Sequence, residues 1–453
     1  MLGRMGHDPV SGAPSSADPD SRPPSPSWAE PVGSGEPDAR LAPGPGSGEE
    51  PVGDAAVPRP RVPVGTTGLV VPDIRLIRRR TGGEQRATFF ELFFDLVYVF
   101  AITQLSHYVL ADLSWAGAGR AAFLLVVVCW AWNYTTWMAN WFDPDTVAVR
   151  LVLVFVMLAS LLMAVAVPDA FGERGLLFAA SYVALQIGRN AFVVAVTPAG
   201  AFHRNFVQIL SWSVLSAPLW IAGGLVDGEA RWAPWGAALL VDLVAPLVQY
   251  WIPRMGQAPA TEWQVDGNHF AERFQLFVII ALGESIVLAG VTASESDLTA
   301  AVVVALGVAF LLSTALWWLY FGQVAEAVAR RIAQCAPTEA GRLGRDVYTY
   351  LHLPIIAGIV LSAVGLELVI AHPHDELHLA GALVTCGGPA LFLAGLAACC
   401  ARVRRRQAWW PLAVAVVVIG CAPLVAGVPS LAAAGGLTAV LIGAAVVEQT
   451  RPD

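Results

Sequence analysis

Residues 88–107 read TFFELFFDLVYVFAITQLSH, an apolar stretch that carries Glu91 and Asp95 into a predicted membrane-spanning helix. Residues 269–285 read HFAERFQLFVIIALGES and look like a second copy of the same helix. At an offset of 181 residues the matching positions are Phe89 and Phe270, Glu91 and Glu272, and Phe93 and Phe274. Ionisable groups are costly at membrane depth, so a helix that keeps them twice predicts a functional site built on two halves of one protein.

The composition is that of an integral membrane protein. The chain has 453 residues, of which 56% are hydrophobic and 14% charged, and its mean hydropathy is +0.61. This balance excludes a soluble domain, and we expect the lipid bilayer, and no nucleic acid, as its surroundings. Repeated apolar runs predict an all-α polytopic membrane protein with about twelve transmembrane helices, at 89–111, 119–140, 147–168, 175–196, 204–226, 233–252, 268–291, 298–320, 348–371, 377–400, 409–426 and 428–447.

The predicted helices divide into two halves after a polar tail. Residues 1–72 are rich in Pro, Gly and Ser and predict a disordered cytosolic segment. Residues 73–226 form the first predicted transmembrane repeat, which the helix at 233–252 completes, and residues 253–450 form the second. Six helices in each half give both halves the same orientation, so the sequence predicts two parallel six-helix repeats.

The arginines predict which side of the membrane each loop faces. With both termini in the cytosol, the outer segments hold Arg120, Arg174 and Arg231. The inner segments then hold Arg75, Arg78, Arg79, Arg80, Arg86, Arg150, Arg204, Arg254, Arg330, Arg331, Arg342, Arg345, Arg402, Arg404, Arg405, Arg406 and Arg451. An excess of arginine on the cytosolic side is the usual pattern, and one missed early helix would destroy it.

Predicted helix 1 carries a polar stripe, because Glu91, Asp95, Thr103 and His107 share one helix face. Two acids four residues apart repel each other, so a cation or a proton must lie near them. A purely structural role stays open, in which the acids cap the helix or pair with Arg86 or with a neighbouring helix.

Predicted helix 7 carries the second set of candidates, namely His269, Glu272, Arg273, Glu284 and Ser285. Glu284 is the deepest acid in the chain, and an unpaired glutamate at that depth would be protonated or would bind a cation. Its neighbour Gly283 would let another helix approach closely. Arg273 is a candidate partner for Asp95 or Glu91, or a marker of the cytosolic boundary, and a buried structural hydrogen bond at Glu284 is the alternative to a functional one.

Other polar groups in apolar segments are secondary candidates. Arg189 and Asp242 could form a buried pair, and Glu367 is expected near the outer interface. The tryptophans of predicted helix 2, Trp130, Trp132, Trp137 and Trp141, are typical of an interfacial belt. No sequence motif indicates a cofactor, a metal site or a soluble catalytic domain.

Residues 91–107 resemble the opening motif of the bacterial low temperature requirement A (LtrA) family. The stretches 269–285 and 350–355, the latter reading YLHLPI, support the resemblance, which covers residues 80 to 450. It implies a polytopic membrane protein linked to growth in the cold, and it implies no particular reaction.

Residues 93–103 have a weaker similarity to the Phe-Ser-Asp helix of a family of endolysosomal and bacterial potassium channels, whose two-repeat members line the pore with helices 1 and 7. Phe94 stands where that triplet has serine, Phe89 stands where the motif has arginine, and predicted helix 7 lacks the triplet.

These observations favour a protein without enzymatic activity that passes a small ion or a proton-coupled solute between helices 1 and 7. A lipid-modifying membrane enzyme, with Glu284 and Asp95 as acid and base, and a non-transporting scaffold or sensor of membrane state are the alternatives. An enzyme should gather its polar groups near one leaflet, whereas a permeation pathway should distribute them through the depth of the bundle.

Overall fold

The structure is a computed structural model that describes residues 76–78, 86–258, 267–403 and 409–450. The predicted tail at 1–72 lies outside the described residues. Within the described ranges the chain is helical, and its β-structure is limited to isolated bridges such as Ile77 with Phe142.

The described segments form fifteen α-helices, α1 to α15 in chain order. They are Phe89–Ala111, Trp115–Trp141, Val147–Ala166, Gly175–Val196, Ala201–Leu225, Trp232–Val244, Gly267–Glu295, Ala300–Leu319, Ala325–Gln334, Pro337–Gly344, His352–Ala371, Leu379–Val403, Trp409–Gly420, Ala422–Val425 and Ser430–Thr450. Two π-helical segments, Tyr320–Val324 and Arg345–Leu351, join α8 to α9 and α10 to α11.

The described residues contain ten helices that are long and apolar enough to cross a bilayer. Two shorter apolar segments, Trp232–Val244 and Trp409–Val425, occupy the remaining predicted positions. The prediction of an all-α polytopic membrane protein is therefore confirmed. The relation of the two halves as repeats stays a prediction.

The sixth helix is shorter than predicted, ending at Val244 instead of residue 252. Pro246 follows and has no backbone N–H to continue the helix. The chain then turns through Gln249 and Tyr250, whose φ angles of 55° and 49° are left-handed. Residues 245–258 consequently form an irregular segment, held by backbone hydrogen bonds such as Tyr250 N to Ala245 O, 2.8 Å.

Helices α1, α7 and α11 contact one another. Helices α1 and α7 run in the same direction, because Asp95 pairs with Arg273 near their starts and Thr103 pairs with Glu284 farther along both. We call the end of the bundle where α1 begins the proximal end and the end where α1 finishes the distal end. Side chains that the topology places at the same end do meet. Distally, Arg120 in α2 donates to Glu229 after α5 at 2.5 Å, and proximally, Arg402 at the end of α12 donates to Asp346 at 3.1 Å.

The bundle buries charge and exposes hydrocarbon, as a membrane protein should. Glu91, Asp95 and Glu284 are each 1% exposed, whereas Leu158 on α3 is 56% exposed and Phe155 43%. An aqueous protein would reverse this order. The outer apolar faces are therefore lipid-facing surfaces, and the acids belong to helix contacts in the interior.

Helices α11 and α12 approach so closely that only glycine fits at their crossing. A Cβ atom on Gly358 would lie 2.4 Å from the backbone nitrogen of Phe392, and one on Gly388 would lie 2.4 Å from the backbone nitrogen of Ser362. Small residues allow this approach in lipid, where van der Waals packing drives helix association. The crossing fixes α11, the helix that supports α1 and α7.

Candidate functional site

Glu91 organises the proximal end of the contact between α1 and α7. Its backbone N–H and side chain form a capping box with Thr88, whose backbone N–H donates to Glu91 Oε2 at 2.8 Å. Arg78 donates to the same oxygen at 2.8 Å, and His269 Nε2 lies 3.0 Å from Oε1. The cationic partner is therefore Arg78, not Arg86, and the carboxylate is saturated with hydrogen bonds.

Arg78 reaches Glu91 because a short tether holds it. The backbone N–H of Arg78 donates to Trp141 O at 3.0 Å, and the N–H of Asp143 donates to Leu76 O at 2.9 Å. The residues before α1 thus pair with the loop after α2. The sequence predicted Arg78 only as one of the arginines on the cytosolic side, because nothing near it in the chain indicates this pairing.

Asp95 forms a buried two-point ion pair with Arg273. Arg273 Nη1 and Nη2 donate to Asp95 Oδ2 and Oδ1 at 2.6 and 2.7 Å. The indole N–H of Trp132 donates to Oδ1 at 2.9 Å, and the guanidinium lies 5.8 Å from the centre of that indole. The sequence left Arg273 open between two acids, and the structure places it on Asp95. Such forked pairs are strong and directional.

His269 and Glu272 are the two remaining polar candidates at this end of α7. The amide Nδ2 of Asn140 donates to His269 Nδ1 at 3.1 Å, which leaves the Nε2–H of the ring to donate to Glu91 Oε1 at 3.0 Å. Glu272 Oε2 accepts from the backbone N–H of Ala87 at 2.9 Å. We use the term proximal cluster for Glu91, Asp95, His269 and Arg273.

An aromatic layer closes the bundle above this cluster. Tyr98 is fully buried, its ring centre is 6.5 Å from that of Phe277, and its hydroxyl lies 2.9 Å from Ser160 Oγ. The ring of Phe277 stacks on Trp132 with centres 4.1 Å apart. Ile102 and Val278 are also fully buried in this layer. The Tyr98 hydroxyl is already paired with Ser160 and the Trp132 indole N–H with Asp95, so the layer places buried ring surface between the proximal cluster and the distal half of α1 and α7.

Glu284 lies on the distal side of the aromatic layer. Thr103 Oγ1 donates to its Oε2 at 2.7 Å, and among the described residues Oε1 has no hydrogen-bond partner although it is buried. Ser285 Oγ is likewise buried without a partner in that part of the chain. Because Asp95 and Thr103 are eight residues apart on α1, about 12 Å separates the two polar groups along the helix axis.

Two further groups extend the distal side toward the end of the bundle. His107 is exposed and lies within electrostatic range of Glu284 and of Glu367 on α11. Glu367 Oε2 is buried and has no hydrogen-bond partner among the described residues. The polar stripe on α1 is therefore divided, with Glu91 and Asp95 in one cluster and Thr103 and His107 in another.

Two expectations about this region are wrong. Gly283 was expected to admit a neighbouring helix, but a Cβ atom there would meet nothing within 4 Å, so the glycine has no packing role at this point. The tryptophans of α2 were expected at a lipid interface, but Trp130 and Trp132 are each 1% exposed. Their contacts with other helices override the usual preference for a lipid interface.

The predicted pair of Arg189 with Asp242 is also wrong. Asp242 Oδ2 accepts from the Tyr182 hydroxyl at 2.9 Å and from the Trp220 indole at 3.0 Å. Gln186 donates from Nε2 to the Tyr182 hydroxyl at 2.9 Å, and Arg189 donates to Gln186 Oε1. The charges are therefore joined through two intervening side chains, because the helix positions separate them beyond direct reach.

Comparison with known proteins identifies relatives of this architecture. The family model described as bacterial low temperature requirement A protein (LtrA) matches residues 86–446. The chain is 37% identical over 321 residues to the uncharacterized protein RA0937 of Rhizobium meliloti (strain 1021), covering 70% of this chain and 78% of that protein. No solved structure matches the chain.

Proposed function

The chain belongs to the bacterial low temperature requirement A family, and we propose that it is an ion or proton-coupled small-solute permeation protein whose pathway follows the contact between α1 and α7. It is a polytopic membrane protein of bacterial type. We further propose that it lies in the cytoplasmic membrane with both termini in the cytosol. The arginine distribution supports this orientation, which makes the proximal end cytosolic.

The proposal rests on the buried position of Glu284 and on its incomplete hydrogen bonding. The two buried acids of the proximal cluster have cationic partners, Arg78 for Glu91 and Arg273 for Asp95. Glu284 has a hydroxyl donor on one oxygen, none on the other among the described residues, and no cation within ion-pair distance there. A carboxyl group at this depth must be neutralised by a proton or by a bound cation. Glu284 is therefore the group that exchanges charge with a permeating species.

The distal polar residues and the proximal cluster have different roles in this proposal. Glu284 and Thr103, with His107 and Glu367 nearer the distal end, receive the ion or proton. The proximal cluster holds α1 against α7, and the ion or proton passes it on the way to the proximal side of the membrane. The aromatic layer of Tyr98, Phe277 and Trp132 separates them, so the conformation described is closed, and permeation requires Tyr98 and Phe277 to part.

Purified protein in proteoliposomes tests this function. We expect an imposed gradient of H⁺, Na⁺ or K⁺ to drive flux that exceeds the leak of empty liposomes, read with an entrapped pH dye or a cation-sensitive dye. Glu284→Gln should abolish the coupled flux, because the amide keeps the shape but neither titrates nor holds a cation. Glu295→Gln is the matched control, because it removes an exposed acid from the same helix.

Two results would contradict the proposal. Flux equal to that of empty liposomes for every cation, with protein of normal thermal stability, would support a scaffold or sensor instead. Equal flux in wild type and Glu284→Gln would remove Glu284 from the pathway.

A further inference from the structure

A cavity of about 80 Å³ lies at the proximal end, away from the α1–α7 contact. Its walls come from α2, α4, α5, the irregular segment 245–258, α10 and the π-helical segment Arg345–Leu351, and none of its lining residues belongs to α1 or α7. At roughly 10–15 Å³ for each water-sized position, it has room for about five to eight waters. The cavity is not closed off, so a ligand larger than this volume can extend out of it.

The walls of this cavity suit a flat apolar body. Tyr134, Trp137, Trp141, Phe206 and Tyr250 all line it. Aromatic side chains give a ligand a large contact area at low cost in side-chain entropy, and ring stacking orients a planar molecule. An ion surrounded by its hydration shell would not use these surfaces.

The charge around the cavity is positive. Arg342 and Arg345 line it, and no aspartate or glutamate does. Arg345 shares Asp346 with Arg402, so this group of three keeps one positive charge. Arg342 is exposed and forms no ion pair in the described part of the chain. Beyond the aromatic wall, the guanidinium of Arg189 lies 5.2 Å from the centre of the Tyr134 ring.

Amide groups at the floor can orient a polar head. Asn133 and Asn190 line the cavity from α2 and α4, and Gln249 lines it from the irregular segment. Asn133 Oδ1 accepts from Thr349 Oγ1 at 3.2 Å, and Asn190 Nδ2 donates to Ser213 Oγ at 3.0 Å. Amide groups whose other atoms are anchored in this way present fixed polar atoms to a ligand.

The backbone around the cavity departs from regular helix on both sides. Gln249 and Tyr250 are left-handed non-glycine residues, and the opposite wall is a π-helical segment. Such conformations are disfavoured and gather at binding sites. In a membrane protein, irregular backbone is tolerated where it is buried in protein or lines a cavity. The cavity thus depends on backbone conformations that cost conformational free energy and that regular helices would not need.

We propose that this cavity binds a small amphipathic carboxylate, with a single planar apolar ring among the aromatic side chains and its carboxylate toward Arg342 and Arg345. The ligand enters from the proximal end. This site is separate from the proposed pathway and does not depend on it, since binding is measured without flux.

Fluorine NMR on the full-length protein in detergent tests the site with 4-fluorobenzoate as the probe. We expect saturable binding, at least tenfold tighter than that of 4-fluorobenzyl alcohol, which has the same ring without the charge. The cation 4-fluorobenzylamine should bind more weakly than the alcohol. Arg342→Gln should weaken 4-fluorobenzoate binding at least threefold. Arg204→Gln is the matched control. Arg204 is exposed and lies near the start of α5, like the lining residue Phe206, but it does not line the cavity, so this change should leave binding unchanged.

Each other outcome overturns the assignment. Equal binding of the three probes would show an apolar cavity without charge selection. Equal losses in Arg342→Gln and Arg204→Gln would show a diffuse electrostatic effect. Displacement of the probe by short-chain phosphatidylglycerol, together with stronger binding of that lipid than of any carboxylate, would assign the cavity to a lipid headgroup.

Discussion

Thr103 on α1 donates a hydrogen bond to Glu284 on α7 at 2.7 Å, and this bond joins the two helices on the distal side of the aromatic layer. It gives the buried carboxylate one fixed partner and leaves its second oxygen for a proton or a cation. The two residues, 181 positions apart in the chain, thus define the proposed entry site together.

Replacing Thr103 with valine tests that bond. The change keeps the branched shape and removes the donor, so Oε2 of Glu284 loses its partner and, among the described residues, neither carboxylate oxygen keeps a hydrogen bond. We expect coupled flux in proteoliposomes to fall at least tenfold, because a hydrogen bond to a charged group contributes ~1.5–3 kcal/mol. Thr103→Ser restores the hydroxyl and should recover most of the flux. Thr314→Val, at a half-buried threonine whose hydroxyl donates to Phe310 O within α8, should have no effect, and a similar loss there would contradict the assignment.

The pair of Asp95 and Arg273 should show the asymmetry of a buried salt bridge. Asp95→Asn leaves a buried guanidinium without its counter-charge, which costs about 3–5 kcal/mol. We expect a clear fall in the thermal unfolding temperature of the purified protein. The double variant Asp95→Leu with Arg273→Met should be more stable than Asp95→Asn alone. If the double variant is less stable than Asp95→Asn, the loss of stability does not come from an unpaired buried charge, and this explanation is wrong.

The close crossing of α11 and α12 should not tolerate one added methyl group. Gly358→Ala places a Cβ atom 2.4 Å from backbone in α12, and neither helix can move without disturbing the other contacts of α11. Overpacking of this kind costs roughly 1–3 kcal/mol. Gly290→Ala on α7 is the control, since a Cβ atom there meets nothing within 4 Å. Thermal unfolding should separate the two variants, and equal stability would show that the helices slide apart easily.

The orientation can be read with single cysteines in a Cys335→Ser background. Asp297→Cys and His374→Cys lie at the distal end and should react with a membrane-impermeant maleimide on intact cells. Ala401→Cys lies at the proximal end and should react only after the cells are permeabilised. The reverse pattern would invert the topology and place the cavity at 342–349 outside the cell.

The sequence predicted the helices well because each depends on its own composition and length. The run at 89–111 is apolar enough to define α1, and the structure begins and ends that helix at the predicted residues. Helix α6 was misjudged, because hydropathy continues through residues 245–252 while Pro246 and two left-handed residues end the helix. Hydropathy reports burial in lipid and contains no information about backbone conformation.

The partners of the acids were harder to predict than the acids themselves. Asp95 and Glu284 stand out because charge is rare in apolar runs. Trp132 was missed because a tryptophan in a membrane helix usually faces an interface, and Asp95 draws this one inward. Arg189 and Asp242 were paired by charge alone, although Tyr182 and Gln186 lie between them. Contacts between distant helices depend on rotation and depth, which a single sequence does not contain.

The ion pair of Asp95 and Arg273 also has a consequence for how the protein is made. Asp95 enters the membrane with α1, but Arg273 is synthesised 178 residues later. At 5–20 residues per second the ribosome needs roughly 9 to 36 seconds to supply it. During that interval α1 carries a carboxyl group into the bilayer without its final counter-ion. We therefore expect α1 to remain associated with the translocon or with a chaperone until α7 is synthesised. A chain truncated before α7 should be degraded, because Asp95 would lack its counter-ion.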